Sequence, residues 1–477
     1  MGSGKVTSSE PLDWQGKHVT VAGLGVSGIP AAKVLHARGA HVTVVNDGDD
    51  ARAREQAAEL EALGITVRLG DGATLPEGTE LIVTAPGWKP DKPLFEAARA
   101  VGVEIWGDVE LAWRLRGPDA APWLAITGTN GKTTTTQMLA SILKAAGLRT
   151  AAVGNIGISV LDAVLGEEQY DVLAVELSSY QLHWAPSLRA HSAAVLNLAP
   201  DHLDWHGSME AYAADKGRIY EGNRVACVYN VADKATEDLV READVEEGCR
   251  AIGFTLGSPG PSQLGVVDGI LVDRAFVENR QKNAQELAEI SDVNPPAPHN
   301  IANALAAAAL ARAFGVPAKA VRDGLRAFTP DAHRIAHVAD VDGVAYVDDS
   351  KATNTHAAEA SLAAYESIVW IAGGLAKGAS FDELVAKSAK RLRGVVLIGA
   401  DRALIREALA RHAPEVPVVD LDRTDTGAML QAVTEAKRLA RPGDTVLLAP
   451  ACASMDMFTN YNKRGDAFAE AVRELGS

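Results

Sequence analysis

Short apolar runs of strand length alternate with helical segments along the whole chain, and this alternation limits the possible folds more than any other feature. Eight runs rich in Val, Ile and Leu are HVTVAG, HVTVVN, ELIVTA, DVLAVE, HSAAVLNLA, SIVWIAGG, RGVVLIGA and DTVLLAPA. Helix-forming stretches, several of them rich in alanine, lie between them. Such alternation is typical of parallel sheets covered by helices, so the sequence predicts an α/β protein.

Three seams rich in proline or glycine divide the chain. At 477 residues it is too long for a single hydrophobic core. The seams are RGPDAAP at 116–122, NPPAP at 294–298 and FTPDAHR at 328–334. We interpret the first and third as domain boundaries and the second as a loop, because a long alanine-rich helical pattern follows it directly. The predicted domains are 1–115, 116–330 and 331–477.

The composition argues against several classes of protein. With 46 basic and 62 acidic residues, the chain has a formal net charge of −16, which disfavours a nucleic-acid surface. No apolar stretch approaches the roughly 18 residues of a membrane span, and residues 1–17 lack the core of a signal peptide. We therefore expect a cytoplasmic protein that binds neither membranes nor nucleic acid. Cys227, Cys249 and Cys452 are scattered without metal-ligand spacing, so we expect neither a disulfide framework nor a zinc site.

The stretch ITGTNGKTTTTQML, residues 126–139, places a glycine-rich turn between an apolar run and a helical pattern. The loop is shorter than the usual P-loop, yet it offers glycines for close backbone approach and Lys132 for terminal phosphates. Thr133 can supply a hydroxyl ligand to Mg²⁺. An ordinary strand-to-helix turn is the alternative. The predicted ATP-binding residues here are Gly128, Thr129, Asn130, Gly131, Lys132, Thr133 and Thr134.

The first segment carries a second glycine-rich turn. In VTVAGLGVSGIPAAKVLHARGAHVTVVND, a strand is followed by Gly23-x-Gly25-x-x-Gly28, a helix, a second strand and the pair Asn46-Asp47. This order is that of a dinucleotide site, where an acid after the second strand binds a ribose. The same turn serves any ligand with a pyrophosphate. A nicotinamide dehydrogenase and another phosphate-bearing ligand are therefore both open.

The middle segment supplies acidic and histidine side chains after the P-loop. The run DVLAVE ends at Glu176, which would place a carboxylate beside the P-loop, where NTPases hold a metal-linked acid. Asp201, His202, Asp204 and His206 then crowd into one short stretch. A zinc hydrolase site is the alternative for this cluster. The sequence has no further His or Cys cluster to complete a zinc shell, and Mg²⁺ beside a nucleotide needs fewer protein ligands.

Several motifs occur together in one order along the chain. They are GTNGKTT, GNIG at 154–157, ELSSYQL, DHLDWHGS, HNIANALAA, HR at 333–334 and DDSKATN at 348–354. On these motifs the chain resembles the Mur ligase family of peptidoglycan synthesis from about residue 17 to its C-terminus. Within the family, DDSKATNTHAAEASL and APACASMDMFTNYNKRGDAF look like the members that add D-glutamate to UDP-N-acetylmuramoyl-L-alanine.

The resemblance implies a fold and a reaction. The implied fold has a Rossmann-like N-terminal domain, a P-loop ATPase-like central domain and a Rossmann-like C-terminal domain. The implied reaction transfers the γ-phosphate of ATP to the substrate carboxylate, and the amine of D-glutamate attacks the acyl phosphate through a tetrahedral intermediate. ATP, two Mg²⁺ ions and a carbamylated Lys216 are the expected cofactors, and we expect a monomer.

The family's functional residues map onto this chain as expectations. The catalytic residues would be Lys132, Glu176, His202 and Lys216, and the metal-site residues Thr133, Glu176, His202 and Lys216. Further ATP contacts would be Asn300, Arg334 and Asp349. The UDP-linked substrate would contact Gly25, Val26, Ser27, Asn46, Asp47, Thr84 and Asn155. D-Glutamate would contact Lys351, Thr353, Lys377, Ser454 and Tyr461.

Other interpretations are open for some residues and for the whole chain. Either Asn46 or Asp47 could meet the uridine nucleotide, and Tyr461 stands where some members have Phe, which matters little if only its backbone is used. Asn300 and Ser454 are also compatible with helix caps, and without the motif Lys216 would be interpreted as a surface lysine. The alternatives for the chain are a sibling Mur ligase, a folylpolyglutamate synthase-like ligase, a nicotinamide dehydrogenase or a non-catalytic nucleotide-binding protein.

Overall fold

A computed structural model describes residues 12–475 of the chain. Residues 1–11 and 476–477 lie outside the described part, and with them most of the N-terminal stretch from which we predict no signal peptide. Three β-sheets organise the described residues, and helices alternate with their strands. None of the described helices is long and apolar enough to cross a membrane.

The first sheet is fully parallel. Its strands β1 to β5 are His18–Ala22, His41–Asn46, Thr66–Leu69, Leu81–Thr84 and Glu104–Gly107. Helices α1 to α4 are Gly28–Ala37, Ala51–Glu61, Pro93–Ala100 and Asp108–Leu115. The strand order is β3-β2-β1-β4-β5. It reverses between β1 and β4, and ligands of open α/β sheets bind at the carboxyl ends of strands at such a point.

The second sheet has nine strands. Strands β6 to β14 are Trp123–Thr127, Ala152–Gly154, Leu173–Glu176, Ser192–Val195, Ala226–Asn230, Arg250–Phe254, Gln263–Val267, Ile270–Asp273 and Gln285–Glu289. Helices α5 to α12 are Lys132–Ala145, Val160–Leu165, Ser179–His183, Leu203–His206, Met209–Gly217, Lys234–Glu242, Pro298–Ala313 and Ala318–Ala327. The order is β14-β13-β12-β11-β10-β9-β6-β8-β7, so the strand before the P-loop lies inside the sheet, between β9 and β8.

The third sheet has six strands. Strands β15 to β20 are Ala336–Val341, Val344–Asp348, Ile368–Gly373, Leu392–Ile398, Val418–Asp420 and Thr445–Leu448. Helices α13 to α17 are Thr355–Ala363, Asp382–Ser388, Arg402–His412, Ala428–Leu439 and Tyr461–Leu475. The order is β15-β16-β20-β17-β18-β19, and all neighbours except β15 and β16 run parallel.

The eight apolar runs all form strands, so the predicted α/β architecture is confirmed. The prediction of parallel sheets is wrong at one edge of the second sheet and one edge of the third. The hairpins β12–β13 and β15–β16 turn at Asp268-Gly269 and Asp342-Gly343. All four turn residues have positive φ, between 48° and 78°. A type I′ turn needs two consecutive residues with positive φ, and Asp-Gly is a favoured pair for it. The two Asp-Gly pairs in the sequence therefore indicate these hairpins.

The described chain divides into two compact units. One comprises the residues up to Asp292 together with Ala302–Ala327, and it holds the first two sheets. The other comprises Val293–Ile301 and the residues from Phe328 onward, and it holds the third sheet. The loop NPPAP, which we assigned to the middle segment, therefore groups with the second unit. The boundaries at 115/116 and 330/331 stay predictions.

Buried polar contacts join the first two sheets within their unit. Glu110 on α4 has no exposed surface. Its carboxylate accepts hydrogen bonds from Arg114 and from the backbone N–H and hydroxyl of Ser187. Nearby, the ring of Trp184 packs 5.1 Å from that of Phe95. A buried carboxylate is costly unless donors surround it, so Glu110 holds α4 to the segment after α7 only while these partners are in place.

Helix α12 packs against α5, and a glycine sets the distance between them. A Cβ on Gly324 would lie 2.4 Å from Cα and 2.7 Å from N of Ile142. The hydroxyl of Ser141 donates to Gly324 O at 2.7 Å. Because the obstructing atoms belong to the backbone, only movement of a whole helix could relieve such a contact.

We predict that Gly324→Ala lowers the free energy of unfolding by about 1–3 kcal/mol, because overpacking outweighs the ~1 kcal/mol by which Ala favours a helix over Gly. Urea denaturation of the purified protein measures the change. Gly117→Ala is the control, since no atom lies within 4 Å of the Cβ that it would add. A Gly324→Ala protein as stable as the wild type would contradict the close contact between the helices.

Candidate functional site

The predicted P-loop begins where β6 ends and leads directly into α5. Gly131 has a φ of 82°, and a Cβ added there would lie 2.4 Å from Oδ1 of Asn303. A side chain at this position would therefore collide as well as strain the backbone. Helix α5 starts at Lys132, so its N-terminus adjoins the loop, as in anion sites. The next two predicted residues, Thr133 and Thr134, are buried in its first turn.

Hydrogen bonds hold the loop in one shape. Lys132 Nζ donates to the carbonyl oxygens of Gly128 at 2.9 Å and Thr129 at 3.0 Å. The backbone N–H of Asn130 donates to Oδ1 of Asn197 at 2.8 Å, and the Nδ2 of Asn197 donates back to Asn130 O at 3.0 Å. The contacts of Lys132 and Asn197 therefore define the shape of the loop.

Glu176 ends β8 and lies beside the P-loop strand, because it aligns with Ile126 in the parallel β6–β8 pair. Its side chain is 1% exposed. Oε1 accepts a hydrogen bond from Nδ2 of Asn155 at 3.0 Å, whereas Oε2 has no hydrogen-bond partner among the described residues. Buried polar atoms are nearly always paired, so this oxygen is suited to a ligand. A hard cation such as Mg²⁺ fits it.

Lys216 lies on α9 and is 2% exposed, so the surface-lysine interpretation is wrong. Its Nζ donates to Gly128 O at 2.9 Å and lies 3.4 Å from Oγ1 of Thr127. Burial lowers the pKa of Lys216 well below its usual value, and the charge of Lys132 lowers it further. The neutral amine is the form that reacts with CO₂, so this environment suits the expected carbamylation.

Asp215, the residue before this lysine, is held by three basic side chains that the sequence analysis did not assign to it. Its carboxylate lies 2.9 Å from Nδ1 of His183, 2.9 Å from Nδ1 of His206 and 3.3 Å from Nε of Arg218. Nε2 of His206 lies 3.0 Å from the hydroxyl of Ser179. Burial raises the pKa of Asp215, but the hydrogen bonds from the histidines outweigh it and bring the pKa to about 2. The contacts join α7, α8 and α9.

The Asp–His cluster at 201–206 does not converge on one point. The His206 side chain is fully buried, whereas the His202 side chain is half-exposed with a left-handed φ of 54°. Nε2 of His202 lies 3.5 Å from Asp201 Oδ2, and its ring centroid lies 4.9 Å from that of Tyr180. Across residues 12–475, no three His, Cys, Asp or Glu side chains are arranged to hold a metal ion. His202 and His206 therefore lie in different surroundings.

The predicted pyrophosphate turn lies between β1 and α1. A Cβ on Gly28 would lie 1.9 Å from Gly23 O, so the third glycine permits the contact between helix and turn. The Ser27 hydroxyl donates to Oδ2 of Asp108 at 2.8 Å, and this bond anchors the turn to the start of α4. The predicted substrate contacts in the turn, none of them buried, are Gly25, Val26 and Ser27.

Asn46 and Asp47 make different contacts. Oδ1 of Asn46 accepts the backbone N–H of Leu24 at 3.1 Å, which joins the end of β2 to the glycine-rich turn. The Asp47 carboxylate pairs with Lys92 Nζ at 2.5 Å. Thr84 ends β4, the neighbour of β1, and is buried. The structure thus brings these predicted residues to the carboxyl edge of the first sheet.

The DDSK stretch follows β16 in the second unit. Asp349 is buried and accepts a hydrogen bond from the Ser361 hydroxyl. Burial raises the pKa of Asp349 to about 6, although the charge of Arg334 acts to lower it. Lys351 Nζ lies 4.0 Å from the ring centroid of Tyr461. This is a cation–π contact, so Tyr461 contacts Lys351 through its ring.

Three segments that carry predicted D-glutamate residues meet in the second unit. The segments of Lys377 and Ser454 exchange two backbone hydrogen bonds of 2.9 and 3.0 Å. The segment of Thr353 joins them through a 2.9 Å bond from the N–H of Ala451 to Ala352 O. Lys377 is exposed and Ser454 is buried, so these segments provide one outer cation and one inner hydroxyl.

The two residues with a helix-cap alternative do not precede helices. Asn300 is the third residue of α11, and its Nδ2 donates to Pro295 O at 3.2 Å. Ser454 lies in the irregular segment between β20 and α17. Neither residue occupies the position before the first residue of a helix, where a side-chain cap acts.

Arg464, which the sequence analysis did not single out, supports the DDSK stretch. The side chain is on α17 and the residue is 1% exposed. Its guanidinium donates to the hydroxyl and carbonyl oxygen of Ser350 at 3.0 and 2.8 Å, and to Cys452 O at 3.1 Å. Burial lowers the pKa of Arg464 to about 10. The only signal in the sequence was its place in NKRGDAF, which did not indicate a role.

Comparison with protein families supports the interpretation of all three segments. The MurD-like N-terminal domain of Mur ligases matches residues 17–107, the Mur ligase middle domain matches residues 126–311, and the Mur ligase glutamate ligase domain matches residues 333–452. Together these matches cover more than half of the chain.

Individual proteins agree with this assignment. The UDP-N-acetylmuramoylalanine--D-glutamate ligase of Streptomyces coelicolor is 89% identical over 470 residues, which cover 98% of this chain and 100% of that protein. The ligase of the same name from Thermobifida fusca is 60% identical, with 97% and 100% covered.

Solved structures share the fold at low identity. MurF from Acinetobacter baumannii superposes with a TM-score of 0.59 at 17% identity, with 90% of each chain covered. The UDP-N-acetylmuramate-alanine ligase MurC from Thermotoga maritima gives a TM-score of 0.55 at 19% identity, with 96% of this chain and 99% of that chain covered. From the matching domains and the full-length relatives, we conclude that the chain belongs to the Mur ligase family.

Proposed function

We propose that this chain is an ATP-dependent ligase that adds D-glutamate to UDP-N-acetylmuramoyl-L-alanine during the synthesis of peptidoglycan precursors. Relatives that are 89% and 60% identical carry the name of this ligase over their full length. One structural observation carries the proposal. Glu176 presents a buried oxygen without a hydrogen-bond partner among the described residues, at the end of the strand beside the P-loop strand. Phosphoryl transfer needs a metal-linked acid at this place.

The reaction has to activate a carboxylate. A carboxylate is a poor electrophile, so one of its oxygens must first become a good leaving group. The γ-phosphoryl group of ATP moves to an oxygen of the alanyl carboxylate, which gives ADP and an acyl phosphate. The amine of D-glutamate attacks the acyl carbon, and the tetrahedral intermediate collapses to the amide as phosphate leaves and a proton is released. Positioning and charge neutralisation supply most of the acceleration.

The P-loop residues position the nucleotide in this proposal. The backbone N–H groups at the start of α5 and the ammonium group of Lys132 bind the β- and γ-phosphates. Thr133, Glu176 and His202 would hold Mg²⁺, for which we propose two ions. Bound Mg²⁺ supplies positive charge that neutralises the phosphate oxygens.

Lys216 acts as an anion in this proposal. Its buried neutral amine adds CO₂ and loses a proton, which forms a carbamate with two hard oxygens of the kind that Mg²⁺ prefers. Support comes from the burial of Lys216 and from the 2.9 Å contact between its Nζ and Gly128 O, which places the nitrogen at the P-loop. An ammonium ion there would add to the charge of Lys132.

The first segment binds the UDP-linked substrate in this proposal, and the domains are 1–115, 116–330 and 331–477. The diphosphate meets the turn after β1, and the uridine meets Asn46 or Asp47. Because Asn46 already accepts the Leu24 N–H, whereas Asp47 pairs with a partly exposed lysine, we favour Asp47 for the contact. The proposed substrate residues are Gly25, Val26, Ser27, Asp47, Thr84 and Asn155.

The second unit contributes the amino-acid site in this proposal. Lys377 and the hydroxyl or backbone donors around Thr353 and Ser454 neutralise the carboxylates of D-glutamate, and Lys351 and Tyr461 complete the site. Further nucleotide contacts come from Asn300, Arg334 and Asp349. A dicarboxylate that approaches a protein of net charge −16 needs such local donors.

We also propose that the protein works as a cytoplasmic monomer without nucleic acid or membrane partners. The support is its strongly acidic composition and the cytoplasmic origin of ATP and UDP-linked substrates.

The proposed function predicts that fast phosphate release from ATP requires both UDP-N-acetylmuramoyl-L-alanine and D-glutamate, because only an amine consumes the acyl phosphate productively. A coupled phosphate assay with each component omitted in turn measures this. L-Glutamate, L-lysine and meso-diaminopimelate serve as control amino acids. Equal phosphate release with meso-diaminopimelate would indicate a sibling ligase, and no release with any amino acid would indicate a nucleotide-binding protein without ligase activity.

For Lys216, we predict that Lys216→Ala lowers turnover by about 100-fold or more, because the proposed carbamate oxygens are lost. A small carboxylic acid added to the variant should restore part of the activity. Lys234→Ala is the control, since Lys234 is exposed on α10 and pairs only with Asp238 there. Intact mass measured gently in bicarbonate should show an adduct of about 44 Da on the wild type and on Lys234→Ala but not on Lys216→Ala. Full activity of Lys216→Ala would exclude the proposed role.

For the amino-acid site, we predict that Lys377→Ala raises the KM for D-glutamate by about tenfold to hundredfold. The loss of one charge-assisted hydrogen bond weakens binding by about this factor. The KM for ATP should change much less. Steady-state kinetics with each substrate varied separately measures both constants. Lys387→Ala is the matched control, because Lys387 pairs with Glu359 and Glu383 on the surface. An equal rise in both KM values would remove Lys377 from the amino-acid site.

A further inference from the structure

Two cysteines that are far apart in the sequence meet at the amino ends of two neighbouring strands of the second sheet. Cys227 is the second residue of β10, and Cys249 immediately precedes β11. Because β10 and β11 are parallel neighbours, the 22-residue separation closes to a distance of 3.9 Å between the two Sγ atoms. Both are free thiols. The third cysteine, Cys452, is buried in the other unit.

The two thiols have different surroundings. Cys227 is 2% exposed and belongs to the hydrophobic core, whereas Cys249 is only partly buried and therefore accessible to small solutes. The hydrogen bond between the sulfurs raises the pKa of Cys227 and lowers that of Cys249, and burial adds to the rise at Cys227. The accessible thiol is thus the one that more readily forms the reactive thiolate.

We propose that Cys227 and Cys249 form a reversible disulfide when the protein meets a hydroperoxide. The Cys249 thiolate attacks one peroxide oxygen, the O–O bond breaks, and the Cys249 sulfenic acid forms as hydroxide leaves. The Cys227 sulfur then attacks the Cys249 sulfur, the S–O bond breaks, and water leaves with the Cys227 proton. In total, two thiols and one hydrogen peroxide give one disulfide and two waters.

The geometry lets the bond form with local movement. The sulfurs must approach by roughly 2 Å to reach bonding distance. Cys227 is fixed in the core, but Cys249 follows Gly248, which has a φ of 92°, and lies in a turn closed by its N–H to Glu246 O at 3.0 Å. The turn can therefore move toward the strand while β10 keeps its register.

The position of the bond determines its effect. Both cysteines lie at the amino ends of parallel strands. The P-loop and Glu176 lie at the carboxyl ends of strands in the same sheet, on the opposite side. The disulfide would join the two ends of the β10–α10–β11 crossover and remove conformations from the unfolded chain. It would also convert Cys249 to a form that peroxide does not oxidise further to the sulfinic acid.

The test uses the full chain, first reduced and then treated with one equivalent of hydrogen peroxide. The intact mass should fall by about 2 Da, and mapping of alkylated peptides should join the Cys227 and Cys249 peptides and leave Cys452 alkylated. Dithiothreitol should restore the mass. The thermal midpoint of the oxidised protein should rise above that of the reduced protein.

Two serine variants make the test specific. Cys452→Ser should behave as the wild type, whereas Cys249→Ser should show neither the loss of mass nor the rise in thermal midpoint. Cys249→Ser replaces a partly exposed thiol, so the variant is expected to fold, and its thermal midpoint in the reduced state verifies this. A gain of one to three oxygens at Cys249 without a cross-link, or a cross-link to Cys452, would overturn the proposal.

Discussion

Two lysine side chains converge on one carbonyl oxygen, and the chemistry of the site depends on this contact. Lys132 and Lys216 each place Nζ 2.9 Å from Gly128 O. Their nitrogens are therefore no more than about 6 Å apart, and two ammonium charges at that distance repel by about 3 kcal/mol at an effective dielectric of about 20. Burial lowers the pKa of Lys216 well below its usual value, and the charge of Lys132 lowers it further. One P-loop carbonyl thus accepts from two lysine nitrogens, in surroundings that favour the neutral form of Lys216.

A neutral Lys216 changes the charge balance of the site. Glu176 then contributes a carboxylate of which one oxygen has no hydrogen-bond partner among the described residues. If Lys216 carries a carbamate, as we propose, two anionic groups and the phosphates of ATP share one region, and their repulsion exceeds what Lys132 alone can offset. Divalent cations resolve this conflict, since they prefer hard oxygen ligands. In this proposal, the demand for Mg²⁺ follows from the combined charges of Glu176, the carbamate and ATP.

Sequence patterns predicted the elements but not the contacts between distant residues. Apolar runs predicted the strands that end near the P-loop, because burial on both faces of a parallel strand requires such runs. The sequence also indicated Lys132 as a phosphate ligand and Glu176 as a metal-linked acid. The contact between Asp215 and His183 could not be predicted, since His183 reaches it only after α7 and α9 pack together, whereas Arg218 is a local neighbour three residues on. The two hairpins differ from the prediction for another reason. Their Asp-Gly turns are present in the sequence, but the alternation of helices and strands predicts parallel strands there.

The Asp215 contacts explain how Lys216 can keep its position although no carboxylate of residues 12–475 forms an ion pair with it. A buried amine that loses its charge no longer has an ion pair to hold it, so its placement depends on its helix. Asp215 fixes that helix, because its carboxylate hydrogen-bonds His183 on α7 and His206 on α8. His206 in turn contacts Ser179 at the start of α7, three residues after Glu176. Partly buried hydrogen bonds, together with the backbone from Glu176 to Ser179, thus connect the segments that carry Lys216 and Glu176, and they position the lysine through its helix.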